Sequence, residues 1–478
     1  MERLKSAYDP EDFRRQGHAL VNMLADYLAD ARSPNPVMPV LPWQEPQAQY
    51  DWWKNRLKSH KGDPHEDGLA FFRDILSRSI HLHQSRYMGH QVCPPPPTTA
   101  LASLVAGLLN NGMAVYEMGA STTVLERICV ETVAEVLGMD SGASGFLTSG
   151  GTLANLTALL AARSSYRKDN VWQDGQGRPL ALMVSEQAHY CVDRAVRIMG
   201  WGSRGIIKVP VDDNYKMRTD LLENLLQESR EEGIEVIAVV GSACTTSTGS
   251  FDDLEHIAGF CERYGLWFHV DGAHGAALAF SAQHRGVLKG IERADSVALD
   301  FHKMLMSPGL TTALVFRRGE DSYRTFAQQA DYLFGEAEQE WFQMAKRSFE
   351  CTKLMMSIKP MVLMHSYGLE VFEEYINQVM ENGQLLANIL ESRPHWALAI
   401  RPQCNIVCFR LVPDGFDGDA LNALNSRIRK TIVEEGQFYI VKTMLGSNVW
   451  LRVTLTNPFT SRTELEVLLD CAERVWRS

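Results

Sequence analysis

Two stretches of this chain end in side chains that can do chemistry together. In Phe268-His269-Val270-Asp271-Gly272-Ala273-His274, an apolar run stops at an acid. In Ala298-Leu299-Asp300-Phe301-His302-Lys303, a similar run stops at an acid, an imidazole and an amine. Residues 266–270 and 296–299 read as short buried strands, which predicts Asp271 and the 300–303 group at strand tips. Ligands of open α/β sheets gather beyond the carboxyl ends of the strands. The acid and the lysine, distant in sequence, would then face one crevice. Either alone would pass for an ordinary exposed residue.

The pair suits pyridoxal phosphate. That cofactor needs a lysine amine to hold its aldehyde as a Schiff base. It also needs a carboxylate to keep its ring nitrogen protonated, so that the ring can draw electrons. Lys303 and Asp271 are the candidates. Thr148-Ser149-Gly150-Gly151-Thr152 leads straight into a helical run. Small residues at a helix start leave backbone N–H groups free for a phosphate, and the Thr148 and Ser149 hydroxyls add donors. By itself the same stretch is an ordinary turn and cap. His189 follows a strand ending near Ser185 and could stack on a flat ring. Thr246 lies just past the 236–240 strand, where a hydroxyl can also serve a local turn.

The elements that must carry these groups follow a regular pattern. Helix-like segments at 122–137, 153–163, 188–199, 221–232 and 254–264 alternate with β-rich runs. Those runs are 180–185, 205–209, 236–240, 266–270, 296–299 and 311–316. The alternation predicts an α/β fold, a mostly parallel sheet with helices on both faces. Upstream, 11–31 has helical periodicity, 33–46 is rich in proline, and 52–57 and 68–79 are further helix candidates. This makes an N-terminal helical arm with little core of its own. His90 and Gln91 precede four stiff prolines, Pro94 to Pro97, and suit a substrate-contacting loop. Downstream, 328–340 is polar and acidic and is expected to form a mobile loop. Helices are expected over 341–357 and from about 369 to 390, and strands over 405–411, 437–443 and 449–455. A last helix over 461–475 has Ser461 and Glu464 at capping-box spacing. The expected division is an arm at 1–95, a large cofactor-binding domain at 96–369 and a smaller C-terminal α+β domain at 370–478.

A chain of 478 residues is long enough for two or three domains. Its 45% apolar and 22% charged residues are ordinary for a soluble globular protein. A net charge of -11, with both signs interspersed, argues against nucleic acid or an anionic membrane as partner. Met1-Glu2-Arg3-Leu4-Lys5 opens no secretory signal, and no apolar run is long enough to span a bilayer. The nine cysteines are scattered without a CxxC pair, so neither a metal site nor a disulfide framework is indicated. A cytoplasmic protein with buried free thiols is expected.

The ordered set of cradle, histidine, acid and lysine resembles that of the group II pyridoxal-phosphate-dependent amino-acid decarboxylases. These include glutamate, aromatic amino-acid, diaminobutyrate and cysteine sulfinate decarboxylases. The likeness runs over roughly 13–457 and is densest over 145–317. It implies an aminotransferase-like (type I) fold and a homodimer with a shared active site. It also implies Lys303 as the Schiff-base lysine, Asp271 as the ring-nitrogen partner and His189 as the stacked imidazole. Thr148, Ser149 and His302 fall in the cofactor shell, and Thr246 and Ala273 line it. Tyr116-Glu117-Met118, with Leu125-Glu126, looks more like the glutamate decarboxylase branch, and Arg452 resembles an arginine that holds a substrate carboxylate. The chain also departs from the family. Asp300-Phe301 stands where Asn-Pro is common. An acid beside a phosphate is unfavourable, so Asp300 is expected to point elsewhere or meet a cation. Gly272 and His274 differ from the commoner Ala and aromatic residue. Of the loop tyrosine that most members carry, only Tyr332 is a candidate, and Phe342 is a position where a tyrosine would be replaced.

The reaction this implies is that of a carboxy-lyase: removal of the α-carboxylate of an L-amino acid to give an amine and carbon dioxide. His90, Gln91, Tyr116-Glu117 and Arg452 favour a polar or acidic substrate. Two alternatives stand beside it. Without a loop tyrosine the carbanion could react with oxygen, giving an aldehyde, ammonia and peroxide. A catalytically inactive structural member is the other, and the intact Asp271–Lys303 pair argues against it.

Overall fold

The computed structural model describes residues 1–58, 64–166, 175–323, 325–326 and 341–478. Two compact units are formed. One comprises residues 91–387 and 399–408, the other residues 1–90, 388–398 and 409–478. The N-terminal helices thus group with the C-terminal segment, where the sequence suggested a separate arm.

The 91–387 unit is built on a seven-stranded sheet. Its strands are β1 (Ser144–Thr148), β2 (Leu180–Ser185), β3 (Ile206–Val209), β4 (Glu235–Ser242), β5 (Trp267–Asp271), β6 (Ser296–Asp300) and β7 (Thr312–Phe316). They lie in the order β1-β7-β6-β5-β4-β2-β3. The pairs from β3 through β6 are parallel, and β7 is antiparallel to both of its neighbours. Parallel strands need a crossover of about a dozen residues or more, usually a helix. Between β6 and β7 there is only the one-turn helix Phe301–Met304 and a short loop, so β7 returns alongside β6 as a hairpin.

Strand periodicity of two explains why the strands read as continuous apolar runs. Val236, Val239, Phe268, Val270, Ala313 and Val315 enter one core, with Leu254 and Ile257 of helix Leu254–Tyr264. Ile237, Val240, Trp267, Leu314 and Phe316 enter the other, with Ala154 and Ala158 of helix Gly151–Ser165. Both faces are therefore covered, as expected for a mostly parallel α/β sheet.

The other unit contains helices Pro10–Ala31, Pro46–Arg56, Pro64–Arg78, Gly418–Glu435 and Arg462–Arg477. Its β-structure includes β8 (Trp396–Leu398), part of β9 (Ile406–Leu411), β10 (Val441–Leu445) and β11 (Asn448–Thr454). β10 and β11 form an antiparallel hairpin whose turn has Gly446 at φ 59°, a conformation that favours glycine. The capping box of Ser461 and Glu464 is present at the start of the last helix.

Several sequence expectations are corrected. Residues 341–357 form no long helix, only a 3-10 turn at Met344–Lys346. The reason is tertiary: Arg347 donates from Nε to Ser322 Oγ at 3.0 Å, and buried Lys353 bonds Glu126 and the Leu147 carbonyl. These partners override the local helical pattern. The strand expected at 437–443 is displaced to Val441–Leu445. Helix Gly418–Glu435 and strands β1 and β8 were not anticipated. The loop expected at 328–340, with Tyr332, lies outside the described residues.

Candidate active site

At the carboxyl ends of the central strands, a cavity of about 320 Å3 opens. Ser149, His189, Thr246, Asp271, Ala273, His302 and Lys303, expected from the sequence to form the cofactor site, line it, and so do Gly150, Gly151, Thr152, His274 and Asp300. Asp271 ends β5 and Asp300 ends β6, and parallel pairing sets Asp271 opposite Ala298. The single helical turn after β6 then carries Lys303.

Lys303 Nζ lies 3.1 Å from Asp300 Oδ2. Desolvation opposes the ammonium, but the carboxylates of Asp300 and Asp271 outweigh it and hold Lys303 above its ordinary range. Asp300 itself is buried, at 2% exposure, and accepts from Thr312 Oγ1 across the β6–β7 hairpin. It has thus met a cation, one of the two outcomes expected from the sequence. Thr311 N–H donates to His302 Nδ1 at 3.2 Å. His302 Nε2 is 3.5 Å from Asp300 Oδ2.

His189 sits in the turn after β2. Its Nδ1 accepts from the Cys191 N–H at 3.3 Å. Burial lowers its pKa, though Asp271 pulls the other way. A neutral, flat imidazole therefore faces the cavity. Asp271 accepts from Ala273 N–H at 3.3 Å, which fixes the carboxylate at the strand tip.

The 148–152 turn is where a phosphate could be received. Gly150 has φ 122°, and helix Gly151–Ser165 begins with no side chain bonded to its first N–H groups. A Cβ on Gly151 would stand 3.1–3.2 Å from the Asp300 oxygens, so a larger residue would crowd the cradle. Thr148 does not line the cavity. It is buried, and its hydroxyl donates to the Gly150 carbonyl at 3.2 Å, so it shapes the turn.

Two supports were missed from sequence. The first is Asn155, which lines the cavity. Asn155 Nδ2 donates to Gly151 O at 2.8 Å, and its Oδ1 is 2.7 Å from His269 Nε2. Burial holds His269 down to about 4, so the ring is neutral. Ser296 Oγ lies 2.9 Å from its Nδ1, and Trp267 Nε1 donates to that same oxygen. A chain of hydrogen bonds thus runs from the sheet to the start of the cradle helix. The second is the buried pair Glu126–Lys353. Glu126 accepts from Leu147 N–H at 2.9 Å, and Lys353 donates to Leu147 O at 2.7 Å. β1 is an edge strand, and this pair satisfies the outward backbone groups of the residue just before Thr148.

The remaining substrate candidates divide between the units. Gln91 belongs to the unit that carries Lys303. It is buried, and its Nε2 has no hydrogen-bond partner among the described residues. Cys93 N–H, two residues on, contacts His302 O at 3.5 Å. His90 and Arg452 belong to the other unit. There, desolvation and the charges of Arg452 and Arg429 hold His90 below its usual range. Arg452 lies on β11, is 8% exposed, and pairs in register with Val441. Phe342 packs edge-on against Tyr116, with ring centroids 5.4 Å apart.

A lysine and an acid at adjacent strand tips, beside an uncapped helix start, fit pyridoxal phosphate: amine for aldehyde, carboxylate for ring nitrogen, N–H groups for phosphate. The fold and site define an enzyme of the pyridoxal-phosphate class. Residues 61–412 match the pyridoxal-dependent decarboxylase conserved domain, and the chain belongs to that family. It is 30% identical to an L-aspartate decarboxylase of Metarhizium robertsii over 77% of this chain and 75% of that one. It is 26% identical to an L-2,4-diaminobutyrate decarboxylase of Acinetobacter baumannii over 96% and 95%. The crystal structure of mouse CSAD shares the fold at a TM-score of 0.90, with 24% identity, covering 98% of this chain and 99% of that one. This protein is a pyridoxal-phosphate-dependent amino-acid decarboxylase.

Proposed function

We propose that the substrate is an L-amino acid with a polar, acidic side chain, converted to its amine with loss of the α-carboxylate. The observation that carries this reading is the basic group around Arg452. Burial lowers the pKa of His90, and the positive charges of two nearby arginines, Arg452 and Arg429, lower it further. A group with two fixed positive charges favours a carboxylate. The similarity to an aspartate decarboxylase supports the same class, whereas the diaminobutyrate decarboxylase keeps a cationic side chain as the rival.

In this reading Lys303 holds the cofactor covalently, Asp271 partners its ring nitrogen and His189 lies against its ring. Ser149 and the 150–152 backbone receive its phosphate, with Thr148 shaping that turn and His302, Thr246 and Ala273 forming the walls. Bound pyridoxal phosphate supplies the electron sink for the pair released when carbon dioxide leaves. Gln91 offers an uncommitted donor beside the lysine turn, and Arg452 receives a substrate carboxylate.

The test is a product assay with added cofactor over acidic, basic, sulfur-containing and aromatic amino acids, scoring amine, aldehyde and peroxide. Amine from aspartate, glutamate or a sulfinate, lost in Arg452→Met, is the expected result. Activity confined to diamino or aromatic substrates would overturn the substrate assignment. Phe342, which brings no proton donor to its place beside Tyr116, is the reason to score aldehyde. Aldehyde and peroxide in equal amounts, giving way to amine in Phe342→Tyr, would favour the oxygen-consuming reaction instead.

We also propose that the enzyme works as a homodimer. Leu101, Leu104, Val105, Leu108 and Leu109 line one stripe of helix Pro97–Leu109 and are each about half exposed or more. A contiguous apolar stripe of this kind on an isolated chain marks an interaction surface.

A further inference from the structure

The cradle helix begins against a carboxylate. Both oxygens of Asp300 lie beside Gly151, close enough to crowd a Cβ there, and Asp300 lines the same cavity as Ser149 and Lys303. Its carboxylate makes no cap on the helix, whose first N–H groups receive no side chain. Those N–H groups and the helix dipole favour an anion, and one fixed anion already stands beside them.

The polar side chains facing Asp300 come from two elements. Thr312 Oγ1 donates to it from β7. His302 Nε2 and Lys303 Nζ approach from the turn after β6, at 3.5 and 3.1 Å. Of these, Lys303 is the counter-ion, and its amine is the group committed to the cofactor's aldehyde. Once that amine is used, its nitrogen is tied to the aldehyde and is no longer free to rest on Asp300, while a phosphate arrives at the neighbouring helix start.

We propose that Asp300 opposes the phosphate end of the cofactor, so that this enzyme holds pyridoxal phosphate less tightly than its cradle would allow. The inference rests on assigning the 149–152 turn to the phosphate. Such an enzyme would respond to the free cofactor concentration over a range where a tighter one stays saturated.

The experiment titrates apo-protein with pyridoxal phosphate and with pyridoxal, which has the same ring and aldehyde without the phosphate. The readout is the ratio of the two dissociation constants, followed by absorbance of the bound chromophore. Asp300→Asn, nearly isosteric and still able to accept from Thr312, is expected to raise the preference for pyridoxal phosphate about ten-fold or more. Asp300→Ser is a second neutral variant should the first fail to fold, with circular dichroism as the check. An equal gain for both ligands would mean that Asp300 acts through Lys303 alone, and would overturn the proposal. So would an unchanged or reduced preference. Ser149→Ala separates the premise: a preference lowered there but unmoved by the Asp300 variants keeps the cradle and removes the proposal. If neither residue moves it, both fall. If only the Asp300 variants raise it, Asp300 still opposes the phosphate, which then sits on another side of it.

Discussion

The buried pair of Glu126 and Lys353 should brace the strand end that leads into the 148–152 turn. Lys353→Met removes the charge while keeping most of the stem. It breaks an ion pair whose side chains are 0% and 1% exposed, and strips the Leu147 carbonyl of its 2.7 Å donor. It leaves Glu126 as a buried carboxylate bonded to the Leu147 N–H. Removing one member of a buried pair typically costs about 3–5 kcal/mol, and the orphaned carbonyl belongs to the same loss. Glu126→Gln should cost less, because its amide oxygen still accepts from Leu147. The double variant should recover about 2 kcal/mol relative to the sum of the singles, the mark of coupled neighbours. Urea midpoints give the energies. Hydrogen exchange at the Leu147 amide gives the location, and it should quicken in both single variants. Additive costs with an unchanged Leu147 exchange rate would refute the reasoning, because the pair would then brace nothing in common.

Other consequences can be tested directly. Lys303→Ala should abolish turnover, and Asp271→Asn should reduce kcat about a hundredfold or more; full turnover in either would remove that residue from the chemistry. Asp252 is buried, accepts from the Met217 and Ser242 N–H groups, and burial raises it from 3.8 to about 6. The folded state therefore binds its proton more tightly. Its contribution is full below about pH 4 and is lost as pH rises through about 6, a change of about 3 kcal/mol. Thermal midpoints of the wild type and Asp252→Asn should diverge in slope across that window; parallel profiles would contradict it. Leu104→Glu with Leu108→Glu should yield a monomer by sedimentation, and a persistent dimer would place the interface elsewhere.

Asp271 and Lys303 are legible in the sequence because a buried strand that ends in polar residues leaves an abrupt change of pattern. The alternation of strands and helices was equally visible, because both faces of the sheet need cover. What escaped was whatever depends on distant partners. Glu126 and Lys353 are 227 positions apart, and neither carries a local mark of the other. Asn155 looks like any polar residue in a helix until β5 brings His269 to it. The 341–357 stretch has the spacing of a helix, yet Arg347 and Lys353 are drawn into buried polar contacts that a helix there would not allow. Thr148 was read as a ligand-facing hydroxyl, whereas its bond to the Gly150 carbonyl could be known only from the shape of the turn.

The return of β7 against β6 has a mechanical meaning. Lys303 stands within a hairpin whose stems are pinned on both sides: Asp300 opposite Thr312, and Phe301 N–H on Thr311 O. A hinge in this backbone would have to break strands that are paired on both sides. The lysine is thus a fixed post with a swinging arm, and the reach of its amine is the length of four methylene groups. Any motion that admits substrate or releases product must be made by other parts of the chain, arranged around a post that does not move.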